Sequence, residues 1–130
     1  MEVLVLEDEA FIAMDIGMTI DARENCDAVV CGSVGEAWNY LNDNQPSAAF
    51  LDVNLGIGET SEKIATELVD RGCPVTLLTG YSAATLPYSS NLSHLPRLAK
   101  PFTDYVLVKA LDRMLNRQET QPHPVLDTEG

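Results

Sequence analysis

The run Ala48-Ala49-Phe50-Leu51 has no polar member, and it ends on a carboxylate, Asp52. A strand with one wet face alternates in character, so a continuous apolar run implies cover on both faces. Strands of that kind belong to parallel sheets sandwiched between helices, whose ligands gather at the carboxyl ends of the strands. Asp52 would stand at such an end, followed by a glycine-bearing loop, Asn54-Leu55-Gly56-Ile57-Gly58. Three other strand-like stretches close in the same manner. Val3-Leu4-Val5-Leu6 stops at Glu7-Asp8-Glu9, Pro74-Val75-Thr76-Leu77-Leu78 at Thr79-Gly80-Tyr81, and Arg97-Leu98-Ala99 at Lys100-Pro101-Phe102.

Helical periodicity fills the intervals. A helix is expected from about Ala10 to Arg23 with Phe11, Ile12, Ile16 and Ile20 among its apolar positions. Asp27-Ala28-Val29-Val30-Cys31 reads as the second strand. Ser33 and Glu36 have the spacing of a capping box, and Val34, Ala37, Trp38 and Leu41 share one face of the helix they start. Thr60 or Ser61 is placed to cap a helix through Ile64, Leu68 and Val69 that stops at Arg71-Gly72. Thr103 caps the last helix, where Leu107, Ala110, Leu111 and Met114 recur at i, i+3, i+4 and i+7. Val108 and Leu115 widen that surface sideways, which marks them as a partner face. Between Ser82 and Leu95 the prolines and polar residues leave room only for a short or irregular element. Five strands alternating with helices give an α/β fold, a doubly wound five-stranded parallel sheet of flavodoxin-like type with an irregular fourth crossover. The domain is expected to occupy residues 1–117, with 118–130 a disordered tail.

Composition narrows the function. The net charge of −12 argues against nucleic-acid binding, which needs clustered Lys and Arg. No apolar run approaches the roughly 20 residues of a membrane span, and no positive segment precedes the first apolar run as in a signal peptide. Three cysteines without C-x-x-C spacing fit reduced thiols in the cytoplasm. His94 and His123 stand apart from any metal-like pattern.

The sheet would bring Glu7, Asp8, Asp52, Thr79 and Lys100 to one edge. Carboxylates crowded together raise one another's pKa and favour a divalent cation such as Mg²⁺, which accepts phosphoryl oxygens among its ligands. A lysine and a hydroxyl opposite would hold the remaining phosphoryl oxygens. Together these groups suit phosphoryl transfer onto an aspartate.

Leu4-Val5-Leu6-Glu7-Asp8-Glu9, Phe50-Leu51-Asp52-Val53-Asn54-Leu55, Leu78-Thr79-Gly80-Tyr81 and Lys100-Pro101-Phe102 resemble, in order and spacing, the motifs of bacterial response-regulator receiver domains. The resemblance covers residues 1 to about 117. It implies that Asp52 is the phosphoacceptor, that Asp8, Asp52 and the Asn54 carbonyl ligate Mg²⁺, and that Glu7 reaches the metal through water. It also implies that Thr79 bonds a phosphoryl oxygen, that Lys100 pairs with the phosphoryl group, and that the donor is a phosphohistidine on a sensor histidine kinase or a histidine phosphotransfer protein. Such a domain is not a conventional enzyme, although it catalyses its own Mg²⁺-dependent phosphorylation and dephosphorylation. The family's switch aromatic, three residues before the lysine, is Arg97 here, while Tyr81 follows Thr79-Gly80 and is the switch residue expected instead. With Leu86-Pro87 and Pro96, this variant T-G-Y pattern resembles a sub-branch of stand-alone regulators paired with kinases of the HWE or a related class. Output would then pass through protein contact or onward phosphotransfer. Two other readings share the architecture: a receiver-like binding module independent of phosphorylation, and a flavodoxin-like nucleotide or flavin binder. The second wants a Ser/Thr/Gly phosphate loop after the first strand, where Glu7-Asp8-Glu9 would repel an anion.

Overall fold

A computed structural model describes residues 1–55, 59–80 and 92–120. In chain order the elements are β1 (Glu2–Leu6), α1 (Ala10–Asp21), β2 (Asp27–Cys31), α2 (Val34–Asp43), β3 (Ala48–Asp52), β4 (Asn54–Leu55), β5 (Glu59–Thr60), α3 (Glu62–Asp70), β6 (Val75–Thr79), β7 (Arg97–Ala99) and α4 (Asp104–Thr120). Five strands form one sheet in the order β2-β1-β3-β6-β7, every neighbouring pair parallel. The expected α/β fold is therefore present. The small antiparallel ribbon β4-β5 was not anticipated, because two-residue strands carry no periodicity to read.

Side-chain alternation along the strands builds two cores. Leu4, Leu6, Ala49, Leu51 and Leu77 point to one face and pack with Ala37 and Leu41 of α2 and Ile64, Ala65 and Leu68 of α3. Val3, Val5, Ala48, Phe50 and Leu78 point to the other, against Ile16 and Ile20 of α1 and Leu107, Ala110, Leu111 and Met114 of α4. The starts of α2 and α4 and the end of α3 follow their sequences. Ser33 Oγ accepts from the Glu36 N–H, but the Glu36 carboxylate accepts from the Gly32 N–H, so the reciprocal cap closes one residue before Ser33. Thr103 Oγ1 accepts from the Val106 N–H at the start of α4. Gly72, at φ +80°, lets the chain leave α3 while the Cys73 N–H returns to the Leu68 carbonyl. Arg71 then binds the end of α2 through the carbonyls of Leu41 and Asn44.

Two expectations about helix faces need correction. Phe11 is 85% exposed; α1 buries Ala13, Ile16, Gly17 and Ile20 instead. A methyl group added to Gly17 would lie 3.2 Å from Val30 Cγ2, so small residues set the close approach of α1 to the sheet. Phe11, Met14 and Met18 form the exposed stripe. Leu115 is buried in the core beside Met114, and the outward apolar residues of α4 are Tyr105 and Val106. The stripe Leu107, Ala110, Leu111, Met114, Leu115 is broad because α4 must cover both the sheet and the flank of α1. All three cysteines are buried free thiols. The Ser82–Leu95 segment lies mostly outside the described residues, though Leu92 and Leu95 are buried in the α2–α3 core. Helix α4 continues through Thr120, and the remainder of the expected tail, with His123, also lies outside them. Among the described residues no helix is long and apolar enough to cross a membrane.

The corrected phase of α1 is open to a stability measurement. Ile16→Ala should cost about 2–5 kcal/mol by chemical denaturation, as expected for a fully buried aliphatic side chain. Phe11→Ala should stay within about 0.5 kcal/mol of wild type. Similar losses in both variants would contradict this packing.

Candidate functional site

The sheet order reverses at β1: the chain moves to β2 on one side of it, then returns to β3 on the other. A cleft opens outside the strand ends at such a reversal. Glu7 and Asp8 follow β1 there, and Asp52 closes β3. Alternation also fixes which way the acids face. Glu7 continues the row of Val3 and Val5, Asp52 the row of Ala48 and Phe50, and Lys100 the row of Leu98, all on the α1–α4 side. The three therefore converge. Lys100 Nζ lies 2.7 Å from Glu7 Oε1 and 3.2 Å from Asp52 Oδ2, and Glu9 Oε1 stands 3.9 Å away. Glu7 and Asp52 are only 1% and 5% exposed.

Backbone groups complete the setting. The Glu9 N–H donates to Glu7 Oε2, and the Asn54 N–H donates to Asp52 Oδ1. Glu7, Asp8 and Asp52 can each bring a carboxylate oxygen within 4.8 Å of the others, a spacing suited to one cation. Asp8, Glu9, Asp52, Asn54, Gly80 and Lys100 line an open concavity of about 350 Å³. A larger and more apolar depression adjoins it between α1 and the chain after β7, walled by Phe11, Ile12, Pro101 and Phe102. Glu9 and Lys100 line both, whereas Asp8 and Asp52 line only the smaller one.

Burial raises the pKa of Glu7 and of Asp52, although Lys100 and the backbone donors pull both back toward ionisation. Burial works against the Lys100 ammonium too, but its contact with Glu7 and the charge of Asp52 outweigh this and raise its pKa. One cation facing two buried carboxylates, with Asp8 and Glu9 beside them, leaves a surplus of negative charge. A divalent cation fits that surplus and the oxygen-only donor set.

Thr79 closes β6. Alternation along β6 assigns it to the row of Val75 and Leu77, and its hydroxyl reaches the Leu98 carbonyl at 3.5 Å. Tyr81 lies outside the described residues. Sequence reasoning overlooked Ser61. It occupies the N-cap position of α3 but makes no cap bond with its side chain; its hydroxyl donates to the Asp52 carbonyl at 2.5 Å. A serine before a helix gives no local sign of such a distant acceptor.

Comparison with known proteins follows the same lines. No protein-family model matches the sequence. SdrG from Sphingomonas melonis Fr1 is 33% identical, with a TM-score of 0.74 over 88% of this chain and 95% of that one. The N-terminal domain of a response regulator/sensory box/GGDEF 3-domain protein from Carboxydothermus hydrogenoformans superposes with a TM-score of 0.79 at 19% identity, covering 95% of this chain and 100% of that domain. The transcriptional regulatory protein DesR of Bacillus subtilis (strain 168) is 25% identical over 81 residues, 62% of this chain. The chain spans 40% of DesR's length. A parallel sheet in this order, an acid cluster at its reversal point and these relatives define a class. The chain belongs to the response-regulator receiver family and is a receiver domain of two-component signalling.

The raised carboxyl pKa values make stability depend on pH. A carboxyl whose folded pKa exceeds its unfolded one binds more protons in the native state, so this contribution to stability falls as pH rises. In metal-free protein held in chelator, Asp52→Asn should melt above wild type at neutral pH. The gap should close as pH falls toward about 4, where the unfolded carboxyl also protonates. Melting curves from pH 4 to 7.5 would record it; a gap independent of pH would contradict a raised Asp52 pKa.

Proposed function

We propose that this receiver is phosphorylated on Asp52 by a phosphohistidine of a sensor histidine kinase, of the HWE or a related class, or of a histidine phosphotransfer protein. The observation that carries the proposal is the contact of Lys100 with both Glu7 and Asp52 beside an acid surplus, at the reversal point of the sheet. An Asp52 oxygen attacks phosphorus, the P–N bond of the donor breaks, and its electron pair leaves with the imidazole. Lys100 is positioned to follow the charge from the carboxylate to the phosphoryl oxygens, and Thr79 is the hydroxyl proposed to join it on activation. Asp8, Asp52 and the Asn54 carbonyl would hold Mg²⁺, with Glu7 acting through water. When bound, the ion would offset the charge of the phosphoryl oxygens. Tyr81, two residues beyond Thr79, is proposed as the switch aromatic in place of Arg97. Output is proposed to pass by protein contact or onward phosphotransfer.

The exposed stripe Phe11, Met14 and Met18 supports a protein as donor rather than a small molecule alone. These side chains stand three and four residues apart on α1, and Phe11 walls the depression next to the acid cleft. Exposed aromatic and methionine side chains are favoured at contact surfaces. They are proposed as the partner face in place of Leu115, which is buried.

Incubation with Mg²⁺ and acetyl phosphate, read by intact mass, should add one phosphate to wild type and none to Asp52→Asn. An undiminished mass increment on that variant would put the acceptor elsewhere. Phe11→Ala with Met18→Ala should slow transfer from a phosphorylated kinase about tenfold or more, yet leave labelling by acetyl phosphate within twofold. Equal transfer from the kinase would remove α1 from the contact. Asp8→Ala should weaken Mg²⁺ binding more than Glu7→Gln in calorimetric titration, since of these two residues Asp8 alone is assigned a direct bond. Equal affinities in wild type and Asp8→Ala would refute that ranking.

A further inference from the structure

The geometry points to Ser61 as a positioning residue that holds the main chain of Asp52 in register for reaction. This rests on the reading of Asp52 as phosphoacceptor and adds to it a side chain nine residues downstream. The β1–β3 ladder ends at the pair Leu6↔Leu51, so the Asp52 carbonyl lies one residue past the last partner that β1 supplies. A buried carbonyl in that position needs another donor. Ser61, with no exposed surface, supplies it through its hydroxyl.

The same peptide unit is held at its other end. The Val53 N–H, in the plane that begins with the Asp52 carbonyl, donates to the Leu78 carbonyl at 3.0 Å. With both ends fixed, the plane cannot rotate about the bonds that flank it. That rotation would otherwise turn the Asp52 carboxylate relative to Lys100, and would carry with it Asn54, whose N–H bonds Asp52 Oδ1. The ribbon pairing Asn54 with Thr60 brings Ser61 alongside, so β4 and β5 act as a short tether between helix α3 and the reacting residue.

A hydroxyl that merely stabilised the fold would affect how much protein is folded, not the rate shown by the folded fraction. A hydroxyl that aligns Asp52 changes that rate, since displacements of about 1 Å cost up to about 100-fold. The test uses the full chain with Mg²⁺ and acetyl phosphate, rates being scored per folded molecule by near-ultraviolet circular dichroism. Ser61→Ala removes the donor. Ser61→Gly removes it too, in a residue that a helix N-cap accepts, and serves if the alanine variant folds poorly. Thr66→Ala removes a comparable hydroxyl bond, to the Glu62 carbonyl in the same helix, and is the control.

The maximal phosphorylation rate of both Ser61 variants should fall about tenfold or more, with the half-saturating acetyl phosphate concentration within about twofold of wild type. The dephosphorylation rate should fall with it, and Thr66→Ala should match wild type in both. Ser61 variants with wild-type rates per folded molecule, or a loss shared equally by Thr66→Ala, would overturn the proposal. No phosphate on wild type would overturn the reading of Asp52 itself, and the role of Ser61 with it.

Discussion

One lysine ammonium shared between two buried carboxylates is the interaction on which the rest of this structure depends. Water would solvate Glu7, Asp52 and Lys100 well, so taking them into the end of a sheet costs free energy that their mutual attraction only partly returns. The raised carboxyl pKa values express the remaining deficit. Hydrophobic burial elsewhere offsets it: helices pack on both faces of the sheet, and its central strand β3 is buried along its whole length. A cleft that is electrostatically underfilled before any ligand arrives is suited to gaining a cation and a phosphoryl group together.

Strand geometry puts the charges together with little help from loops. Asp52 ends β3, while Glu7 and Lys100 directly follow β1 and β7, and the three share one face because each continues an inward row of alternating side chains. The same rule assigns Thr79 to the opposite face. Its hydroxyl contacts the chain of β7 rather than the carboxylates, so any engagement with a group on Asp52 requires movement at the end of β6. Main-chain bonds hold the end of β6 on both sides, from the Val53 N–H to the Leu78 carbonyl and from the Lys100 N–H to the Thr79 carbonyl, so the response falls to the Thr79 side chain.

Much of this was legible in the sequence, and the exceptions share a cause. The second strand at Asp27–Cys31 and the last at Arg97–Ala99 match their sequence boundaries, because short apolar stretches stopped by polar residues depend only on local character. The acid cluster was legible because parallel connections send all the strand ends to one edge. Phe11 was misassigned because hydrophobic periodicity weights large side chains, whereas Ala13 and Gly17 determine how closely α1 approaches Val30. Leu115 looked peripheral because the width of the α4 stripe depends on α1, an element ninety residues earlier. Ser61 looked like an ordinary helix cap. Its partner lies nine residues upstream, and nothing local distinguishes the two uses of one hydroxyl.

The raised pKa of Lys100 has a chemical consequence beyond charge. An aspartyl phosphate of the kind proposed here is a mixed anhydride, and its carbonyl carbon is electrophilic. A neutral amine 3.2 Å from the same carboxyl would attack that carbon, expel phosphate and leave a permanent amide cross-link between the two side chains. Glu7, pressed against Lys100 from the other side, helps keep its nitrogen protonated and so without a lone pair. The buried glutamate thereby makes the lysine a safe neighbour: a cation that can touch an activated acyl group without being acylated by it.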